Sequence, residues 1–148
     1  LAPHAYTIDK ISDIKENIFS HKKIGIISQT TQTKEMFFNV VNKLLQKNPL
    51  VREVHIFNTI CLDTVNRQNE VKKLGERVDA LLVIGSRFSA NTKRLILLGK
   101  KVNKRTYLVE SKNSELTKLL KNAETVGVIS GASTPRWLVK EIVCSIKK

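Results

Sequence analysis

The sequence predicts an α/β protein built from small, mostly parallel sheets flanked by helices, and three observations carry that prediction. Short β-branched runs alternate with stretches of helical period, three of those runs end in a cluster of small polar residues, and the clusters carry helix-start chemistry. Ile24-Gly25-Ile26-Ile27 is the first run, and it is followed by Ser28-Gln29-Thr30-Thr31-Gln32-Thr33. Thr33 then caps a helix with Met36, Phe37, Val40, Val41, Leu44 and Leu45 at helical spacing. Val54-His55-Ile56-Phe57 reads as a strand, and a helix is expected over 63–76. Ala80-Leu81-Leu82-Val83-Ile84 is the second run with a polar exit, through Gly85-Ser86 and Ser89-Ala90-Asn91-Thr92 into a helix over 90–102. Thr106-Tyr107-Leu108-Val109 is a further strand, before a helix over 113–121. Val126-Gly127-Val128-Ile129 is the third run, and Ser130-Gly131-Ala132-Ser133-Thr134-Pro135 leads from it into a helix over 135–147, with Pro135 at the favoured first helical position.

Each of the three runs is nearly continuous, as a parallel strand covered on both faces should be. The βαβα alternation implies right-handed crossovers. A break falls near Asn58: residues 1–57 hold too few strands for a complete α/β unit, whereas 58–148 hold a full one. The chain starts at Leu1 rather than at a methionine, so a processed, truncated or fragmentary chain is expected, with preceding sequence completing the first unit.

With 148 residues, 41% of them apolar, the chain can bury a core. It has no apolar run of the roughly 20 residues needed to cross a bilayer, and its start lacks the charged and apolar regions of a signal peptide. No membrane association and a cytoplasmic location are therefore expected. The two cysteines, Cys61 and Cys144, are too few and too distant for a disulfide framework. A net charge of +13, from 26 Lys plus Arg against 13 Asp plus Glu, favours anionic partners. Nucleic acid is the weaker candidate, because the basic residues are spread along the chain and no strand interleaves them with aromatics.

In parallel α/β folds ligands sit beyond the carboxyl ends of strands, where the polar clusters fall. Thr30, Thr31, Ser89, Asn91 and Ser133, with backbone N–H groups at helix starts, could cradle phosphate oxygens. Any one such turn is more often a plain helix cap, and it is their repetition that points to function. Cys61 lies at a helix start, where a thiolate is favoured for nucleophilic or metal chemistry. Spacing alone makes a buried structural thiol the commoner case, since no second Cys or paired His stands close by. Cys144, beside Ile142, Val143 and Ile146, reads as packing, and His4, His21 and His55 as structural or surface groups. Asp63, Glu70 and Glu76 suit a solvated helix face. No nucleophile elbow, Walker loop or Gly-rich phosphate fingerprint is present.

The order Gln29-Thr30-Thr31, Thr59-Ile60-Cys61, Asn66-Arg67-Gln68, Val83-Ile84-Gly85-Ser86 with Ser89-Ala90-Asn91-Thr92, and Gly131-Ala132-Ser133-Thr134-Pro135 resembles the C-terminal half of the 4-hydroxy-3-methylbut-2-enyl diphosphate reductase family. The resemblance implies a trefoil of three α/β units, with residues 1–57 as part of the middle one, around a 4Fe-4S cluster held by three cysteines. It implies reductive removal of the substrate's hydroxyl to give isopentenyl and dimethylallyl diphosphates, in the methylerythritol phosphate route to isoprenoids. Cys61 matches the third cluster ligand, Thr30 the threonine that positions the hydroxyl for protonation, and Ser89, Asn91 and Ser133 the diphosphate contacts. Ala90 departs from members that carry a second serine there, so only its backbone N–H could contribute. The other two cluster cysteines, the diphosphate histidines and the catalytic glutamate belong to an N-terminal half, in the same or a separate chain. Ferredoxin or flavodoxin is the implied electron donor. The alternative reading is a non-catalytic basic module that binds anions or RNA, with salt-sensitive binding indifferent to Cys61.

Overall fold

The computed structural model of the chain describes residues 5–112 and 115–146. It divides into two compact units, Leu1–Ile60 and Cys61–Lys148. In the first, two 3-10 turns, Ile11–Asp13 and Glu16–Ser20, precede β1 (Lys23–Ile27), α1 (Lys34–Lys47) and β2 (Glu53–Phe57). The β1 and β2 strands pair in parallel, Ile24 opposite Val54 and Ile26 opposite Ile56. Thr33 caps α1 as its sequence predicts, its hydroxyl accepting the Met36 N–H at 3.2 Å. Phe37, Val40, Val41 and Leu44 form the buried stripe of α1, and Ile18 and Ile26 are buried in the same unit.

The expectation that the first run is covered on both faces does not hold. Only Ile26 of β1 is buried, while Ile27 is 74% and Phe57 58% exposed. Among the described residues the two-stranded sheet has one long helix, α1, to cover it. A second face is left to water.

In the second unit α2 (Leu62–Gly75), β3 (Ala80–Ile84), α3 (Ala90–Val102), β4 (Thr106–Val109), α4 (Glu115–Leu119), β5 (Val126–Ser130) and α5 (Arg136–Ile146) build a parallel sheet in the order β4-β3-β5. Side chains of a strand alternate between faces, and the core follows that alternation. Leu81 and Val83 pack with Val71 of α2 and with Leu95 and Leu98 of α3. Leu82 and Ile84 pack with Val109, with Leu116 of α4 and with Ile142 of α5. All five residues of β3 are buried, as its apolar run requires. Helix ends differ from the sequence reading by a residue or two, as fraying termini do. Pro135 sits just before α5 rather than inside it. Residues 113, 114 and 147 of the expected helices, and His4, lie outside the described residues. No described helix is long and apolar enough to cross a membrane.

Where the chain enters β3 it is fastened to the entry of β5 by Asp79. Its carboxylate accepts the Glu124 and Thr125 N–H groups at 2.9 and 2.7 Å and the Thr125 hydroxyl at 2.9 Å. The Thr125 N–H and hydroxyl bonds hold the Asp79 pKa below the usual carboxylate range. The stabilisation is therefore complete above the unfolded-state pKa of about 3.9 and is lost as pH falls through the depressed folded value. Asp79→Asn should lower the urea midpoint at neutral pH and flatten its decline below about pH 4. A variant with the parent's acid profile would show that Asp79 contributes nothing to that decline.

Candidate functional site

The polar turns fall at the carboxyl ends of the strands. In the first unit, the Thr59 hydroxyl accepts the Ser28 N–H at 2.9 Å and donates to the Ser28 carbonyl, joining the exits of β1 and β2. The next residues close as a turn, Gln32 N–H to the Gln29 carbonyl at 3.0 Å, and this leaves Thr30 exposed within it.

In the second unit, the exits of β3 and β5 interlock. Ile84, the last residue of β3, receives the Gly131 N–H at 2.9 Å and the Thr134 hydroxyl at 3.0 Å on its carbonyl. Thr92, in the first turn of α3, lies against both exit glycines: a Cβ added at Gly85 would stand 2.5 Å, and one at Gly131 2.7 Å, from its hydroxyl oxygen. Only glycine permits that approach. The turns carrying Ser89 and Asn91 on one side and Ser133 on the other are thereby locked to a common base. Ser89 caps α3, accepting the Thr92 N–H at 3.3 Å, which leaves other first-turn N–H donors without an intrahelical partner. Ser133 is exposed.

Asn91 is the anomaly of this site. It is only 6% exposed, yet neither its amide nitrogen nor its amide oxygen has a hydrogen-bond partner. A buried, unpaired amide costs roughly 1–3 kcal/mol. Such a cost at a helix N-terminus, where anions are favoured, is what a group poised for a ligand would carry.

Cys61 is the N-cap of α2, and it is exposed, so the buried structural alternative for this thiol is overturned. The backbone N–H of Thr64, and next that of Asp63, hold the thiol below its ordinary pKa, against desolvation and the Asp63 carboxylate, which push it up. Helix-start donors stabilise the thiolate here. Cys144, expected to pack, is also exposed. It lies two residues, or about 200° of helix rotation, from the buried Ile142, so it turns away from the sheet. Among the described residues no three His, Cys, Asp or Glu side chains gather as a metal site. An exposed, thiolate-favouring Cys61 suits one ligand of a cluster, not a complete set.

Arg67 is a member of the site to which the sequence reading gave no role. Its Nε donates to the Asp63 carboxylate at 2.8 Å and its Nη1 to the Ser130 carbonyl at 2.9 Å. With Arg136 and Lys140 it lines a shallow cleft of about 440 Å³ beside Gly131 and Ala132. Asn66-Arg67-Gln68 marked the segment, but only the fold reveals which strand the guanidinium reaches.

The second unit is thus a parallel α/β unit whose strand-exit turns hold an unpaired buried amide and whose α2 helix is capped by an exposed cysteine. The chain belongs to the LytB protein family, whose model matches residues 2–147. A relative from Aquifex aeolicus (strain VF5), a 4-hydroxy-3-methylbut-2-enyl diphosphate reductase, is 36% identical over 141 residues, covering 95% of this chain and 47% of its own length. A second reductase of that name, from Geobacter sulfurreducens, is 42% identical over 127 residues, covering 86% of this chain and 44% of its own. A solved structure of the reductase from Plasmodium falciparum superposes with a TM-score of 0.79 at 25% identity, over 95% of this chain and 44% of that one. Another, described as the terminal enzyme of the non-mevalonate pathway, gives a TM-score of 0.59 at 36% identity, over 94% of this chain and 48% of that one. The chain thus spans about half the length of the relatives it matches.

Proposed function

We propose that this chain is the C-terminal portion of a 4-hydroxy-3-methylbut-2-enyl diphosphate reductase. Its two units are read as the middle and last units of a trefoil, 1–57 incomplete and 58–148 complete. In this reading Ser89, Asn91 and Ser133 hold the diphosphate, Thr30 positions the substrate hydroxyl for protonation, and Cys61 is one of three ligands to a 4Fe-4S cluster. The single observation that carries it is the unpaired Asn91 amide, which an anionic oxygen and a neighbouring donor would satisfy. The names of the relatives supply the substrate class.

The balance of the reaction is one hydroxyl, two electrons and two protons consumed, with one water and one isopentenyl or dimethylallyl diphosphate released. When bound, the cluster would supply the electrons and the Lewis acidity for loss of the hydroxyl. The chain's own residues bind and orient. Diphosphate charge is met by the α3 N-terminus and the Ser89 and Ser133 hydroxyls, and the Thr30 hydroxyl can pass a proton at the leaving oxygen. Electrons come from a ferredoxin or flavodoxin, and reduced thiols agree with a cytoplasmic location.

The test is reconstitution. Combined without oxygen with the N-terminal half of the A. aeolicus relative, iron and sulfide, the chain should yield a visible cluster absorbance and should oxidise reduced ferredoxin as it converts 4-hydroxy-3-methylbut-2-enyl diphosphate to isopentenyl and dimethylallyl diphosphates. Neither signal, from two folded halves, would refute the proposal.

A further inference from the structure

We infer that Arg67 is a positioning residue for the diphosphate turn, holding the exit of β5 in register with the thiol-bearing start of α2. This deepens the function proposed above and rests on it for the identity of the anion. In the order β4-β3-β5, the β5 strand has a neighbour on one side only among the described residues. Towards β3, its exit is secured: the Gly131 N–H and the Thr134 hydroxyl both reach the Ile84 carbonyl. Away from β3, the Ser130 carbonyl would face solvent, and it is instead taken by Arg67 Nη1 at 2.9 Å. Ser130 stands three residues before Ser133, so that bond fixes the root of the turn that presents the Ser133 hydroxyl.

The other arm of the fork decides what the turn is fixed to. Nε donates to Asp63 at 2.8 Å, one helical turn earlier in α2 and two residues after Cys61. Asp63 and Arg67, at i and i+4, stiffen the first turn of the helix that Cys61 caps. One planar guanidinium therefore joins the ligand-bearing helix start to the anion-binding strand exit, a geometry that lysine, a point donor on a flexible stem, cannot reproduce.

Positioning and plain charge make opposite predictions for Asp63→Asn. That variant weakens one arm from a charge-assisted to a neutral hydrogen bond and also removes a negative charge, so a charge effect would tighten an anion, whereas a brace effect would loosen it. With inorganic pyrophosphate as the probe, titrated calorimetrically into the 148-residue chain, Arg67→Met and Arg67→Lys should each raise Kd by about tenfold or more. Asp63→Asn should raise it by about twofold. Amide exchange gives a readout independent of any ligand: in both Arg67 variants Gly131 and Thr134 should exchange at least about tenfold faster, while Leu81 and Val83 in β3 keep the parent's protection and so report an intact fold. Unchanged exchange at Gly131 and Thr134 overturns the inference, as does a lysine variant that binds like the parent together with tighter binding by Asp63→Asn. Ser133→Ala separates this inference from the function on which it rests. If the turn amides loosen as expected but Ser133→Ala leaves pyrophosphate binding untouched, the brace stands and the diphosphate assignment falls.

Discussion

Cys61→Ala is expected to abolish cluster assembly and reductase activity in the reconstituted protein while leaving the chain folded. The thiol is exposed at the start of α2, so its removal leaves no buried cavity. What disappears is a thiolate favoured by the N–H groups of Thr64 and Asp63. Nothing described in this chain would replace it, because no three His, Cys, Asp or Glu side chains gather as a metal site among the described residues. Iron content and visible absorbance should fall to background in Cys61→Ala and remain at the parent's value in Cys144→Ala. The helical circular dichroism of both should match the parent, since truncating an exposed helix cap costs only about 1 kcal/mol and an exposed residue within a helix less. Parental iron content in Cys61→Ala would remove this residue from the metal site.

The contrast between β3 and β1 explains how far the sequence could be read. Both are β-branched runs with polar exits, and pattern alone gives them the same environment. Ala80–Ile84 has helices on both sides and is buried throughout; Lys23–Ile27 has one long helix in its unit, and Ile27 lies open. Burial depends on what is brought to the second face, and a local pattern does not contain that. Helix starts were legible for the opposite reason: Thr33 and Ser89 act on N–H groups three residues away, so the cap and its target are neighbours in sequence. Asn91 was legible as a polar residue at a helix start, but its unpaired amide was not, because satisfaction of a buried group is settled by every element around it. Arg67 lay furthest from view. Its acceptor on Ser130 is 63 residues away and is a backbone carbonyl, for which no side-chain type leaves a trace in the sequence.

Gly85→Ala should be the most damaging single-methyl change in the second unit, for two separable reasons. Gly85 has φ +155°, in the region that favours glycine, and a side chain there is strained by about 1–3 kcal/mol. The added Cβ would also meet the Thr92 hydroxyl at 2.5 Å and the Thr134 hydroxyl at 3.0 Å. Neither can retreat freely, since Thr92 is 1% exposed and Thr134 is bonded to the Ile84 carbonyl. Overpacking of this kind costs about 1–3 kcal/mol. Together, roughly 2–6 kcal/mol should lower the melting temperature by about 8 °C or more in a unit of this size. Gly131→Ala meets Thr92 at 2.7 Å but has no positive φ, so it should cost less. Thr92→Ala in the Gly85→Ala background removes the steric part and leaves the backbone part, so the double variant should recover some of the loss and not all of it. A Gly85→Ala chain that melts within a degree or two of its parent would show that the exit of β3 is not held as closely as these contacts require. The turn bearing Ser89 and Asn91 would then need another source of rigidity.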